Sequence, residues 1–600
     1  MRLRDRIIWF VCIVIATALL VAAGMQLAPI NQRREKMKLI IDKPENVPPS
    51  IAFPTIATGA FRGLVVDALW MRADRLKEEG QFFDARQLAE WITTLQPRFA
   101  SVWEFQAWNM AYNISVAIPA TQPEQRWRWV KNGYELLRDE AIDKLKLKNI
   151  SLYRELARIF QHKIGSVSDD AHKYYKLQLA LAMEPLLRSE DNQLDLEDSR
   201  YFDALAKQAQ TSWKQIIADA NVAPLITALK SADSAFADDE KFVSNYLSLR
   251  QNPGRFKPAA FETIDSFRGT EGLKRFDIFA KAYQLLKIWK LDPVLIRDLN
   301  NNYGPIDFSD PNRHLPLDWR NADSHAIYWA VKGLQITAQE ESRQIGITET
   351  NTDRIVAHSL QNLFRNGKMF IYDVPFEEPS QESSQQRETQ IFKEVFLRPD
   401  LRMFEPYNKS VLAILEKYKE DKSSYESLQN GHRNMLKNAV LSFYQAGHVR
   451  QAQEIYNELR SLYPLDEFKV AIVDDYVSRR FREELQNIGL NDAQEMVVMM
   501  LRESYFRYAL RDDNEAFGRE KLATEVWNLY QTRYEDENRI DLPAFRLLRY
   551  FALLDFLNDE QYPPNLRSSL LGRIKIERPE LFKQLETEEE KLRKQLEQPE

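Results

Sequence analysis

The chain has 600 residues, too many for one hydrophobic core, so it divides into several domains or forms an extended repeat array. Hydrophobic residues at 44% and charged residues at 28% exclude a disordered chain, and a net charge of −6 provides no basic field for nucleic acid. A single cysteine, Cys12, excludes intrachain disulfides and thiolate metal centres.

Three arginines in "MRLRDR" precede an uncharged run, Ile7–Gly24. At 1.5 Å per residue such a run spans about 27 Å, close to the hydrocarbon thickness of a bilayer. Residues 1–32 are therefore expected to be a membrane anchor, with a cleaved signal as the alternative, and Cys12 is expected to be covered. The arginines before the run favour a cytoplasmic N-terminus, with the bulk of the chain on the periplasmic side. Four prolines in Asp42–Pro54 make residues 33–60 an extended linker.

Helical periodicity starts near Phe61 and continues to the end. The expected blocks are 61–187, a helical region 188–298 opened by an acidic break, and a turn-rich insertion with a helical hairpin at 299–374. A polar linker at 375–390, a second helical block at 391–576 and a charged helix at 577–600 follow. No run alternates β-branched residues between turn dipeptides, so the expected class is all-α without a sheet.

Within 63–97 the spacing is specific. Leu69, Ala73, Leu76, Gly80, Ala85, Ile92 and Pro97 place large apolar, small, turn and terminating residues at the offsets of a 34-residue helix–turn–helix unit. Two imperfect units start at Ala100 (Trp103, Ala107) and Ile150 (Tyr153, Ala157, Phe160, then Ala171 and Tyr175). A gap-free copy follows far downstream, with Leu436, Phe443, Gly447, Ala452, Tyr456, Leu459 and Pro464 in register and only Val440 large where a small residue is usual. The pattern resembles the tetratricopeptide (TPR) repeat over about a quarter of the chain and implies an α-solenoid of stacked hairpins. Together with the anchor, "FRGLVVDALWMRA", "QAWNMAYNISV", "YRELARIFQHKIG" and "HAIYWA" also resemble membrane-anchored bacterial helical-repeat proteins of planctomycete type, which supply no established activity to carry over.

In a TPR array the first helix of each pair lines a groove. The groove-facing offsets are Asp67, Trp70, Asp74 and Lys77, then Glu104, Trp108 and Tyr112, then Arg154, Arg158 and His162. Arg154 and Arg158 stand one helical turn apart and, with Trp108 and Tyr112, would hold a peptide carboxylate beside an apolar side chain. The competing structural reading makes the aromatics core and pairs both arginines with local carboxylates.

His162, His172, Asp169 and Asp170 could meet across a hairpin, but no metalloprotease or di-iron motif is present; Asp169 or Asp170 reads better as a helix cap, and no metal or cofactor is expected. "PLDWRNADSHAIYWAVKGL" at Pro316–Leu334 is the most unusual composition in the chain. It reads as a structural helix entry, with Asp323 or Ser324 as the cap and His325, Tyr328 and Trp329 on the first turns; convergence of Asp318, Arg320 and His325 would instead define a helical-toroid enzyme, and no nucleophile motif or phosphate loop accompanies them. The expected function is a membrane-anchored scaffold that binds a protein or peptide partner without turnover. The alternatives are that enzyme, with a site near 299–329, or a secreted structural repeat protein.

Overall fold

The structure, a computed structural model, describes residues 62–97, 99–188, 196–251, 253–338, 346–376, 390–484, 490–534, 542–559, 562 and 564–596, with 12–19, 21–22, 24–26, 29 and 32–33 near the N-terminus. The protein is dominantly helical, as expected.

The first hairpin pairs α1 (Arg62–Glu78) with α2 (Phe82–Leu95). Ala73, Ala85, Ala89 and Ile92 are buried where the helices meet, so small side chains permit the close approach. Gly80 sits between them at φ +75°. Its N–H reaches Lys77 O at 3.1 Å and the Gln81 N–H reaches Leu76 O at 2.8 Å, a Schellman turn that satisfies the last carbonyls of α1. α3 (Ala100–Trp108) continues through π-helical turns Asn109–Ile114. α4 (Pro123–Glu135) and α5 (Ile150–Arg158) likewise run on as π-helical turns, Leu136–Lys144 and Ile159–Ile164.

After α6 (His172–Leu187), Phe202, Leu205, Leu285, Ile296 and Leu299 still belong to the central core. Residues 216–280 build a separate aromatic core around Phe236, Phe242 and Phe276. The chain then returns as α7 (Ala322–Ala338), which packs on α5, and α8 (Ile347–Asn366), which packs on α7. Residues 319–330 are buried without exception, so the helix entry expected here opens into the central core. α9 (Phe404–Lys417), α10 (Lys422–Gln445), α11 (Val449–Leu462) and α12 (Val473–Glu484) follow, each against its predecessor. A further core holds α13 (Leu490–Ala509), α14 (Asp513–Tyr534), α15 (Phe545–Asn558), α16 (Pro564–Glu577) and α17 (Pro579–Leu596).

The turn between α10 and α11 repeats the first one. Gly447 lies at φ +83°, its N–H reaches Tyr444 O at 3.0 Å, and the His448 N–H reaches Phe443 O at 2.9 Å. The turn between α13 and α14 has the same bonds, Arg511 N–H to Tyr508 O and Asp512 N–H to Arg507 O, both 3.0 Å, but with Arg511 in the left-handed position at φ +61°. Ala85, Ala452 and Ala516 each follow the left-handed residue by five positions and are buried.

The expectation of no sheet is overturned. β1 (Ile306–Asp307) pairs with β2 (Asp310–His314), and β3 (Lys368–Phe376) pairs antiparallel with β4 (Gln390–Arg398) over nine residues. The second hairpin forms because Met369, Ile371, Val395 and Leu397 alternate onto one face and pack on Leu177 and Ala180 of α6. Residues 377–389, most of the expected linker, lie outside the described residues, but 375, 376 and 390 belong to the strand ladder.

Residues 1–11, 20, 23, 27, 28, 30 and 31 of the expected anchor also lie outside the described residues, as does nearly all of the 33–60 linker. Among the described residues no helix is long and apolar enough to cross a membrane. Residues 12–19 are helical, and Ile13, Val14, Ile15 and Leu19 are exposed. Cys12 is exposed with them, not covered.

Candidate functional site

Three alternate helices of the N-terminal block, α1, α3 and α5, present one connected strip of side chains. On α1, Lys77 Nζ stands 5.0 Å from the Trp108 ring and 3.8 Å from Asp74. On α3, Trp108 stacks on Tyr112 with centroids 6.2 Å apart. On α5 and its π-helical extension, the Arg158 guanidinium lies 4.9 Å over the Tyr112 ring and His162 stands 5.8 Å from it. Trp70 extends the strip sideways through Phe105 at 5.2 Å. The one-turn spacing of Trp108 and Tyr112 and of Arg158 and His162 puts both pairs on one side of their helices.

Arg154 has its guanidinium 3.4 Å from Glu104, and Arg158 lies 3.3 Å from Glu155. Local pairing of both arginines, weighed against ligand binding from the sequence, is thus the arrangement present. Arg158 keeps 41% of its side chain exposed and so remains accessible. Burial raises the Tyr112 pKa, with Arg158 opposing. Partial burial, then Arg158 and Lys163, hold His162 below the ordinary imidazole value. Asp67 and Asp74 are exposed on α1. Of the aromatics, Trp103 is core, whereas Trp70 and Trp108 are half-buried and Trp91 is 52% exposed.

Behind the strip is a buried ionic group that the sequence did not announce. Asp169 accepts from Arg126 Nη1 at 2.9 Å, Lys163 Nζ at 2.5 Å, Tyr175 OH at 3.3 Å and the Ala171 N–H at 2.8 Å. Burial pushes its carboxyl up, but the Lys163 and Ala171 bonds and both cations outweigh that and lower it. Asp169 is therefore a buried structural anion that also caps the turn before α6. His172 Nδ1 contacts Lys176 Nζ at 2.9 Å, while His162 faces Tyr112. Among the described residues no group of His, Cys, Asp and Glu is placed to hold a metal ion.

Asp318, Arg320 and His325 do not form the converging site considered from sequence. Arg320 closes a fork on Asp318 at 3.0 and 2.7 Å and reaches Met369 O at 3.1 Å. His325 is fully buried; its Nε2 meets Trp319 O at 3.0 Å and its ring stacks on Phe160 at 5.0 Å. Burial lowers its pKa to about 4, so it is a neutral core side chain. Its neighbour Asp323 is buried with Asn362 Nδ2 at 3.0 Å, and burial raises that carboxyl to about 7.

Sequence reasoning missed a pocket of about 360 Å³ where residues 305–320, the β3–β4 hairpin and the turn at 510–512 meet. Arg320, Lys368, Arg398, Arg402 and Arg511 line it, along with Glu197, Asp318, Asp400 and Asp512. Arg398 is carried on a strand where none was expected, which is why it escaped notice. In comparison with known proteins, no family model matches the chain and no curated protein matches it.

Proposed function

We propose that the protein is a membrane-anchored helical scaffold. In this reading its hairpins stack as a TPR-like α-solenoid outside the cytoplasm and it binds a protein or peptide partner without turnover. The observation that carries this reading is the strip Lys77–Trp108–Tyr112–Arg158–His162, an aromatic floor flanked by cations across the alternate helices α1, α3 and α5. Such a surface suits an extended acidic or C-terminal peptide, with the rings taking its apolar side chains and Arg158 its carboxylate. Recurrence of one glycine turn at Gly80 and Gly447 supports the repeat architecture. The exposed apolar helix at 12–19 supports the anchor.

The end of the array nearest the anchor is also apolar outside: Leu64, Met71, Phe83 and Trp91 are exposed by 68%, 67%, 57% and 52%. A terminal hairpin in free solution needs a polar outer face, so this end fits a covered position at the bilayer or a partner.

The test is site-specific photocrosslinking in native membranes. A crosslinker at Tyr112 is expected to give a discrete adduct that disappears when Arg158→Glu is added. A crosslinker at exposed Lys131, on α4, is expected to give none of that adduct. The same adduct from both positions, or no change with Arg158→Glu, overturns the reading.

A further inference from the structure

The pocket beneath the β3–β4 hairpin is lined by five cationic and four anionic side chains, so its wall carries one more positive group than negative. Asp318 is occupied by the Arg320 fork. Asp400 is occupied by Arg402 through Nε and Nη2, both at 2.9 Å, and Arg402 Nη1 also holds Glu197 at 2.6 Å. That leaves Asp512 to serve Arg398 at 2.6 Å, Arg507 at 3.6 Å and Lys368 at 3.9 Å. Glu515 and Glu503 relieve Arg507, but neither forms an ion pair with Arg398 among the described residues.

Arg398 is the centre of this imbalance. Its side chain is 1% exposed, one face is covered by the Phe370 ring at 3.7 Å, and its Nε–H is buried with no hydrogen-bond partner among the described residues. A buried, unpartnered guanidinium N–H is costly and uncommon. Burial, with Arg507 adding, lowers the Arg398 pKa to about 10, against the opposing charges of Asp512, Glu515 and Glu503. Beside it, Arg511 is in no ion pair within 4.0 Å among the described residues, although its charge acts on Glu577. Arg511 occupies a left-handed position that glycine fills at Gly80 and Gly447. An arginine there costs backbone strain that glycine would avoid, and strain of this kind gathers where a side chain is needed for function.

We propose that this pocket binds a small organic oxyanion, a carboxylate or phosphate carried on an apolar body, with Arg398 and Arg511 receiving the charged head. The apolar body is set by the rest of the lining, which includes Leu317, Leu363, Met403 and Leu510. A volume of about 360 Å³ lies at the small end of ligand sites. Because the walls come from 305–320, the β3–β4 hairpin and the α13–α14 turn, the bound anion also fastens the C-terminal helices to the central core. This goes beyond the scaffold reading and stands without it: the peptide strip involves none of these residues.

The experiment is calorimetric titration of the full-length protein with inorganic phosphate, phenyl phosphate, benzoate and, as a neutral control, benzyl alcohol. Phenyl phosphate or benzoate is expected to saturate, whichever identifies the head group, and benzyl alcohol is not. Saturation by inorganic phosphate at equal strength overturns the apolar-body part of the proposal. Arg511→Gly keeps the turn geometry and is expected to weaken binding about tenfold, the loss of one charge-assisted contact. Lys368→Gln is expected to weaken it less. Absence of saturable binding by every anion up to about 10 mM overturns the proposal. So does unchanged affinity in Arg511→Gly. Failure of the photocrosslinking experiment leaves these outcomes as they are, because the two sites share no residue.

Discussion

The α10–α11 and α13–α14 hairpins have the same turn and differ in what occupies it. In the first, Gly447 takes the left-handed position, Phe443 fills the apolar position four residues before it, and Val440 lies three before that. In the second the same positions hold Arg511, Arg507 and Ser504, all within one Schellman turn of identical hydrogen bonding. Arg507 is buried where an apolar residue would serve, and is sustained by Glu503 at 2.6 Å and Glu515 at 3.2 Å. The comparison teaches that backbone geometry can persist while the side chains that advertise it are replaced. They are replaced beside the cationic pocket, where local sequence rules are expected to give way to function.

The largest expected effect tests whether the two hairpins are joined. A Cβ on Gly518, on α14, would stand 1.7 Å from Gln445 O and 2.6 Å from Ala446 Cα, at the turn of the first hairpin. Gly518→Ala is therefore expected to destabilise by about 1–3 kcal/mol through overpacking against backbone. If the helices did not touch, the same substitution would stabilise by about 1 kcal/mol, because alanine is the better helix former. The sign of the shift in urea midpoint decides between these, and a stabilised variant breaks the contact.

The next effect separates the hairpins by pH. On α10, His432 is buried with Tyr463 OH at 2.8 Å on Nδ1 and Asn408 Oδ1 at 2.8 Å on Nε2, and burial lowers its pKa to about 4. The unfolded chain takes up that proton near pH 6.5, so the stability His432 contributes is present above 6.5 and lost as pH falls toward 4. On α14 the sign reverses: burial, with Asp512 adding and Arg507 opposing, raises Glu515 above its ordinary value. Its contribution is present below about pH 4.5 and is lost as pH rises through the raised value. Hydrogen exchange followed by hairpin is expected to show α10–α11 losing protection on acidification from pH 6.5 to 4.5 while α13–α14 does not. His432→Gln is expected to reduce the first response, leaving the part from His448, whose pKa burial also lowers, and to leave the second unchanged. Parallel loss in both hairpins would show that one global opening governs them.

Legibility followed the same divide. The first hairpin of the chain and α10–α11 were readable because glycine in a left-handed turn and alanine at a close approach leave fixed residue types at fixed intervals, as at Gly80, Ala85, Gly447 and Ala452. The strip was readable in position because one-turn spacing determines which side chains share a helix face. The β3–β4 hairpin was not: its alternation of Met369 with Ile371 and Val395 with Leu397 is short, and a long polar segment stands where a turn dipeptide would mark it. Without the strands, Arg398 could not be brought to Asp512, which lies more than a hundred residues further on. At residues 319–330 the helix entry was readable but the burial of its polar side chains was not. Asp, Arg, Asn, Ser and His resemble a polar site in sequence, and only tertiary partners such as Asp318 for Arg320 and Asn362 for Asp323 make them interior residues.

The smallest effect is the most direct test of the comparison, a reciprocal exchange at the two turns. Arg511→Gly relieves a left-handed arginine and, in anion-free buffer, is expected to stabilise by up to about 1 kcal/mol. Gly447→Arg imposes the same conformation and is expected to destabilise by about 1 kcal/mol. Nothing in the first hairpin offsets that cost: an added Cβ at Gly447 meets open space, so the penalty is backbone strain alone. In the double exchange the two changes are expected to cancel nearly, as the two turns lie in different hairpins. Destabilisation by Arg511→Gly without any anion would mean that the contacts of Arg511 within the protein already repay its conformation. The turn would then need no ligand to explain it. Stabilisation together with weakened anion binding would tie the strained arginine to the pocket it lines, since the two measurements move in opposite directions only if the side chain serves the ligand better than the fold.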